Sequence, residues 1–172
     1  MKTTMQTERT IWTLLEEKDF PAMTEMSLEE DTFKYIRRLQ VMTAEEYQQY
    51  LLLKLEQIRL GKGYHWAVWL KTNGAFIGAV NLNPIGNSER LQIGCQLKRD
   101  YWGQGFASEL TKGVMDFAVG EAGLREVYGV FQKDNAVSRR LLTKLGFSLV
   151  EVLSEQGVDI EIHRWSDAIS AG

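Results

Sequence analysis

The chain has 172 residues, the size of one domain with a full core. Apolar residues make up 44% and charged residues 25%, and the net charge of -3 argues against a general nucleic-acid surface. One cysteine, Cys95, allows no internal disulfide, and two histidines without a Cys-x-x-Cys pair give no reason to expect a metal. No apolar run approaches the roughly 18 residues of a membrane span. The polar start MKTTMQTERT lacks the apolar centre of a signal peptide. A cytoplasmic protein with neither a membrane nor a nucleic-acid partner is expected.

The elements alternate in type, with no repeat or linker. Residues 10–15 (TIWTLL) read as a first strand. A short helix starts at Lys18-Asp19-Phe20-Pro21, with Asp19 as N-cap and Pro21 in its first turn. Thr43 and Glu46 form a capping box that opens a helix to about Arg59. Residues 65–71 and 76–83 read as two strands joined by Thr72-Asn73-Gly74, in which Asn-Gly is a strong hairpin signal. In the strand over 91–97, Leu91, Ile93, Cys95 and Leu97 alternate with Arg90, Gln92, Gly94 and Gln96. Phe106, Leu110, Val114, Phe117 and Ala118 share one face of a helix over 106–120. Then come a buried strand at 127–131, a helix around Val137, Leu141, Leu142 and Leu145 closed by Gly146, and strands at 149–153 and 158–165. This order predicts one α/β (α+β) domain, a mixed, mostly antiparallel sheet of about seven strands with helices on its faces.

The most specific segment is Tyr101-Trp102-Gly103-Gln104-Gly105-Phe106-Ala107-Ser108-Glu109, between the 91–97 strand and the 106–120 helix. Glycines let a backbone approach a ligand closely. The first amides of a helix lack internal partners and lie at its positive end, which suits a phosphate or pyrophosphate. A dinucleotide site is a competing reading, with Ser108 at the third glycine position and Glu126 near the later acidic offset. Residues 98–102 are too long for the tight first turn that such a site needs. A turn and helix start without a ligand is the other alternative. Asn135 and Ser138 read equally as an N-cap and the third position of the helix it starts. Cys95 as an acyl-carrying nucleophile lacks a neighbouring histidine in sequence. His65 and His163 read as strand residues with local partners. The acidic run at 25–31 reads as solvated or capping, or as an attractor for a cationic substrate. Trp66, Trp69 and Trp165 read as core or sheet-surface rings, while Trp12 is placed at the border of a substrate cleft.

Two segments carry a resemblance: Y-W-G-Q-G-F-A-S-E at 101–109, and D-N-A-V-S-R-R-L-L-T-K-L-G-F at 134–147. With this order of elements the chain resembles the GNAT superfamily of acetyl-CoA-dependent N-acetyltransferases. Within it, the chain looks most like the branch that acetylates ribosomal-protein N-termini. The superfamily loop usually starts with Gln or Arg where this chain has Trp102, so backbone amides must supply more of the anion contact.

The resemblance implies acetyl-CoA as cosubstrate, with the strands at 91–97 and 127–131 splayed apart around its pantetheine arm. Backbone groups of Cys95 and Leu97 would pair with that arm, in the manner of strand addition. The loop, with Trp102 and the amides of Gly103, Gln104, Gly105, Phe106 and Ala107, would hold the pyrophosphate. Asn135 would bond the arm, and Arg140 would meet a phosphate or solvent. Ser138 is the implied general acid toward the departing thiolate. Glu89 is the first candidate base, with Glu161 second. The implied acceptor is a protein N-terminal α-amine, in a pocket built by the helices between Asp19 and Arg59 and the last two strands. A small amine, either a polyamine or an aminoglycoside-type compound, is the alternative. A non-catalytic acetyl-CoA-binding sensor or scaffold stays open as a different class, and so does a homodimer.

Overall fold

The computed structural model describes residues 4–32 and 42–167. Residues 1–3 of the polar start, residues 33–41 of the expected acceptor-pocket helices, and residues 168–172 lie outside that description. The elements are β1 (Thr4–Gln6), β2 (Thr10–Leu14), α1 (Phe20–Ser27), α2 (Ala44–Arg59), β3 (Tyr64–Leu70), β4 (Phe76–Pro84), β5 (Leu91–Leu97), α3 (Phe106–Gly120), β6 (Glu126–Gln132), α4 (Ala136–Lys144), β7 (Ser148–Glu155) and β8 (Val158–Ser166). The strands form one eight-stranded sheet in the order β1-β2-β3-β4-β5-β6-β8-β7. Neighbours are antiparallel except β5 and β6. This is the expected mixed, mostly antiparallel architecture with one further strand. β1 is three residues long and pairs with β2 around Met5 and Trp12.

Local chemistry explains most boundaries. Thr43 Oγ1 accepts from the Glu46 amide and the Glu46 carboxylate accepts from the Thr43 amide, both at 3.1 Å, so α2 starts on the expected capping box. At the β3–β4 hairpin Asn73 Oδ1 accepts from the Ala75 amide. Asp19 does not cap α1 through its side chain. Its Oδ2 accepts from the Glu16 amide and closes the one-turn 3-10 helix before α1, and burial pushes this carboxyl up.

Two apolar layers sandwich the sheet. One, under α3 and α4, contains Trp66, Val68, Val80, Leu82, Leu110, Val114, Phe117, Leu142 and Phe147; the other, under α1 and α2, contains Leu15, Met23, Met26, Tyr47, Leu51, Ala67 and Ala79. Trp12 lies in the first layer, fully buried, with its ring 5.7 Å from Trp66. It borders no cleft. Its ring fits because α3 carries Gly113 opposite it: a Cβ there would come within 2.7 Å of the indole. Trp12 Nε1 donates to Thr10 Oγ1, which satisfies the one polar atom that burial of the ring costs.

Candidate functional site

β5 and β6 meet at a single rung, Gln92 opposite Tyr128. Beyond it toward their C-terminal ends no further pairing joins them among the described residues. β5 stays registered on β4 to its end, with Gln96 opposite Ala79 and Leu97 opposite Gly78. The Lys98 amide donates to the Ile77 carbonyl, so the alternation of an antiparallel ladder sends the backbone groups of Gln96 and Gly94 toward β4. Those of Cys95 and Leu97 point the other way, into the gap beside β6. This is the splayed pair that the resemblance implies, and the protein-side half of a strand is in place to receive an extended ligand.

Parallel strands end at the same edge of a sheet. The loop after β5 and the loop after β6 are therefore brought together there, and α3 and α4 both begin there. At the first loop Gly103 and Gly105 have φ of 72° and 82°, the left-handed region, and Gly105 is the N-cap of α3. A Cβ on Gly103 would have no atom within 4 Å, so the loop surface is open on that side. Trp102, at the usual Gln or Arg position, is 42% exposed and donates from Nε1 to the Leu97 carbonyl at 2.9 Å. It fixes one of the backbone groups facing the gap. Gln104 Nε2 donates to the Asp100 carbonyl and ties the loop to the preceding 3-10 turn. Phe106 is buried against Tyr101, and Ala107 packs on the core. The acidic run does not stand free in solvent. Glu29 accepts from the Arg99 amide and lies 3.8 Å from Lys98 Nζ, while Glu30 and Asp31 lie near Arg99.

At the second loop Asn135 caps α4: its Oδ1 accepts from the Ser138 amide at 3.1 Å. The capping reading of these two residues is therefore realised. It leaves the Asn135 Nδ2 donor and the Ser138 hydroxyl without partners among the described residues. Arg140 is exposed. Its neighbour Arg139 turns inward, to Glu161 Oε1, the Lys133 carbonyl and the Phe131 ring. The same Glu161 oxygen lies 2.9 Å from His163 Nε2. The bond from His163 outweighs burial and, with Arg139, holds the Glu161 carboxyl below its usual range, which makes it a weak base. His163 thus has the local partner expected of it. His65 does not: both ring nitrogens are buried and unbonded, and burial, with Lys54 nearby, lowers its pKa to about 3.

Glu89 is separated from all of these. It is exposed in the turn before β5, beside Arg90, Arg125 and Glu126, beyond the closed end of the splayed pair. From Leu91, where β5 starts, to Cys95 the strand alone advances about 13 Å at 3.3 Å per residue, and Glu89 lies two residues before that start. Glu89 thus lies at the opposite end of β5 from the open part of the gap. Cys95 is half-buried, and burial pushes its thiol up to about 12, so no thiolate nucleophile is available.

A line of amides runs along the α2 side of β4 and β5. Asn83 Nδ2 donates to Asn81 Oδ1 at 2.9 Å, and Asn81 Nδ2 lies 3.5 Å from Gln96 Oε1. Asn81 fits because Gly94 stands opposite: a Cβ on Gly94 would be 2.4 Å from Asn81 Oδ1.

A family described as the acetyltransferase (GNAT) domain matches residues 9–148, which include the cleft, the glycine loop and all of α4. The chain belongs to this family. The acyltransferase class expected from the sequence is the class of this GNAT family. Among curated relatives, the uncharacterized N-acetyltransferase YoaA of Bacillus subtilis is 30% identical over 95 residues, 55% of this chain and 54% of YoaA. The chain spans about half the length of that relative. Among solved structures, a ribosomal L7/L12 α-N-protein acetyltransferase in complex with coenzyme A superposes with a TM-score of 0.82 at 16% identity, covering 95% of this chain and 97% of the other. A spermidine N-acetyltransferase from Vibrio cholerae, in complex with CoA and spermine, superposes with a TM-score of 0.79 at 16% identity over 95% and 98% of the two chains. These two likenesses establish the GNAT fold. Among the described residues no helix is long and apolar enough to cross a membrane.

Proposed function

We propose that this GNAT domain transfers the acetyl group of acetyl-CoA to a primary amine, and that a protein N-terminal α-amine is the acceptor. One observation carries the reading: a parallel strand pair joined by a single rung opens onto a glycine loop at a helix start. The edge of β5 offers the backbone groups of Cys95 and Leu97 to an extended amide-bearing arm. The amides of residues 103–107 and the positive end of α3 suit a pyrophosphate. The neutral loop position at Trp102 contributes a fixed Leu97 carbonyl in place of a charge.

The chemistry follows from what these groups can donate and accept. The amine nitrogen attacks the thioester carbon and loses a proton, the C–S bond breaks, and the CoA sulfur takes a proton. A Cys95 or Leu97 amide facing the gap can hold the carbonyl oxygen as it becomes negative. The Ser138 hydroxyl, at the open end of the same gap, is the donor we assign to the sulfur. With Glu89 at the far end of β5 and Glu161 bonded to Arg139 and His163, we assign proton removal to water along the Asn83–Asn81–Gln96 line.

That line also favours the acceptor. The β4–β5 surface facing α2 carries Asn81, Asn83, Gln92 and Gln96 and no carboxylate. Neutral amides bond a peptide backbone well and give no counter-charge for a polyamine or an aminoglycoside. Among the structural neighbours, one is named for a ribosomal-protein N-terminus and another for spermidine.

Calorimetry with acetyl-CoA, CoA and NAD, followed by turnover with N-terminal peptides, spermidine and an aminoglycoside, tests the proposal. CoA binding without NAD binding, and acetylation confined to peptides, is the expected result. Preference for spermidine would refute the acceptor assignment. CoA binding without turnover of any amine would leave the sensor reading in its place. Gly105→Glu places bulk and negative charge in the loop and is expected to abolish CoA binding; normal affinity would remove the loop from the site.

A further inference from the structure

The glycine loop does not hold its shape alone. The turn between β1 and β2 reaches across α3 and grips it. Arg9 donates from its backbone amide to Glu109 Oε2 at 2.9 Å and from Nε to Glu109 Oε1 at 2.7 Å. Its Nη1 donates to the Gln104 carbonyl at 3.1 Å, and its guanidinium lies 3.8 Å above the Phe106 ring. Thr7 Oγ1 donates to Glu109 as well. Burial alone would raise the Glu109 carboxyl, but the bonds from Thr7 and Arg9 outweigh it and hold the group ionised below its usual range.

The Gln104 contact has a geometric consequence. A trans peptide is planar, with C=O and N–H pointing in opposite directions. All peptides described are trans. Turning the Gln104 carbonyl toward Arg9 therefore turns the Gly105 N–H away from Arg9. A flip of this peptide turns Gln104 ψ and Gly105 φ, and Gly105, with φ of 82° and no side chain, offers little resistance, so the guanidinium contact selects one orientation. Glu109 keeps the guanidinium in place, and Arg9 in turn neutralises a carboxylate that would otherwise oppose an anion one turn into the helix.

We propose that Arg9 is a positioning residue for the CoA pyrophosphate: through the Gln104 carbonyl it aims the Gly105 amide at the anion, with Glu109 as its anchor. The inference rests on the CoA reading of the loop. It assigns a binding role to the amino-terminal hairpin, 95 residues before Gln104 in the chain.

The test compares CoA binding by calorimetry and acetyl-CoA kinetics in wild type, Arg9→Met, Arg9→Lys and Glu109→Gln, with near-ultraviolet circular dichroism as the check of folding. Acetyl-pantetheine, which lacks the pyrophosphate, serves as second donor. Arg9→Met is expected to weaken CoA binding tenfold or more. It should raise KM for acetyl-CoA by the same factor, leave kcat at saturation within twofold, and leave turnover of acetyl-pantetheine unchanged. Arg9→Lys should recover part of the loss, because an ammonium can reach one acceptor but lacks the fork that spans two. Should Arg9→Met fail to fold, Glu109→Gln carries the test, with three- to tenfold weaker CoA binding expected. A folded variant that binds CoA within twofold of wild type overturns the proposal, as does an equal loss with acetyl-pantetheine. Absence of CoA binding in wild type overturns the reading of the loop itself, which separates the two failures.

Discussion

Gly94→Ala tests the packing of the amide line most directly. The added Cβ would stand 2.4 Å from Asn81 Oδ1 and 3.0 Å from both Asn81 Cγ and Nδ2, where unstrained contacts need about 3.5 Å or more. Asn81 is 4% exposed and cannot swing into solvent. Its displacement strains the β4–β5 pair, at about 1–3 kcal/mol for overpacking. It also breaks the bond from Asn83, about 1 kcal/mol more. The sum is about 2–4 kcal/mol, or roughly 5–12 °C in Tm for a domain of this size. Asn81→Ala alone loses the bonds and leaves a small void. In the double variant the new methyl occupies part of that void and meets no clash, so the double variant should be about as stable as Asn81→Ala. Urea titration followed by tryptophan fluorescence gives all four stabilities, and the cycle should show a coupling equal to the Gly94→Ala cost, about 2–4 kcal/mol. Additive effects, with coupling under about 0.5 kcal/mol, would refute the argument that Gly94 exists to admit Asn81.

Trp102→Phe removes the bond to the Leu97 carbonyl while keeping the ring; about 1 kcal/mol is at stake, so KM for acetyl-CoA should rise three- to tenfold. An unchanged KM would show that the indole does not order the gap. Burial pushes the Cys95 thiol up to about 12, so Ellman's reagent at pH 8 should label the native protein slowly and the urea-unfolded protein at once. His65 has its folded pKa lowered from 6.5 to about 3, so the unfolded chain binds the extra proton between those values. The stability this represents is complete above pH 6.5 and is lost as pH falls toward 3. A His65→Gln variant should show a flatter urea midpoint between pH 6 and 4, and an identical slope would contradict the buried neutral imidazole.

The alternation, caps and turns made most elements legible, because each of these signals is local. Asn73-Gly74, the Thr43–Glu46 box and the period-two run in β5 state their own conformations. β1 escaped notice because three residues carry no period, and its place is set by pairing with Trp12. Trp12 itself was misplaced for a related reason: an aromatic ring does not say which surface receives it. The notch that does, Gly113, is visible only once α3 lies across β2. The turn that opens α3 could be read from its glycines, but the clasp from Arg9 to Glu109 joins positions 100 residues apart. Glu89 is close to β5 in sequence, but sequence does not say at which end of β5 the gap lies. Which end of β5 opens is decided by the Gln92–Tyr128 rung, a tertiary fact.

That single rung makes the sheet two sheets bound like a book, with five strands on one cover and three on the other. The spine is short on one margin and missing on the other. The two covers are held together chiefly by the apolar layer beneath α3 and α4, which runs unbroken from Trp66 and Val80 on one to Val127 and Phe131 on the other.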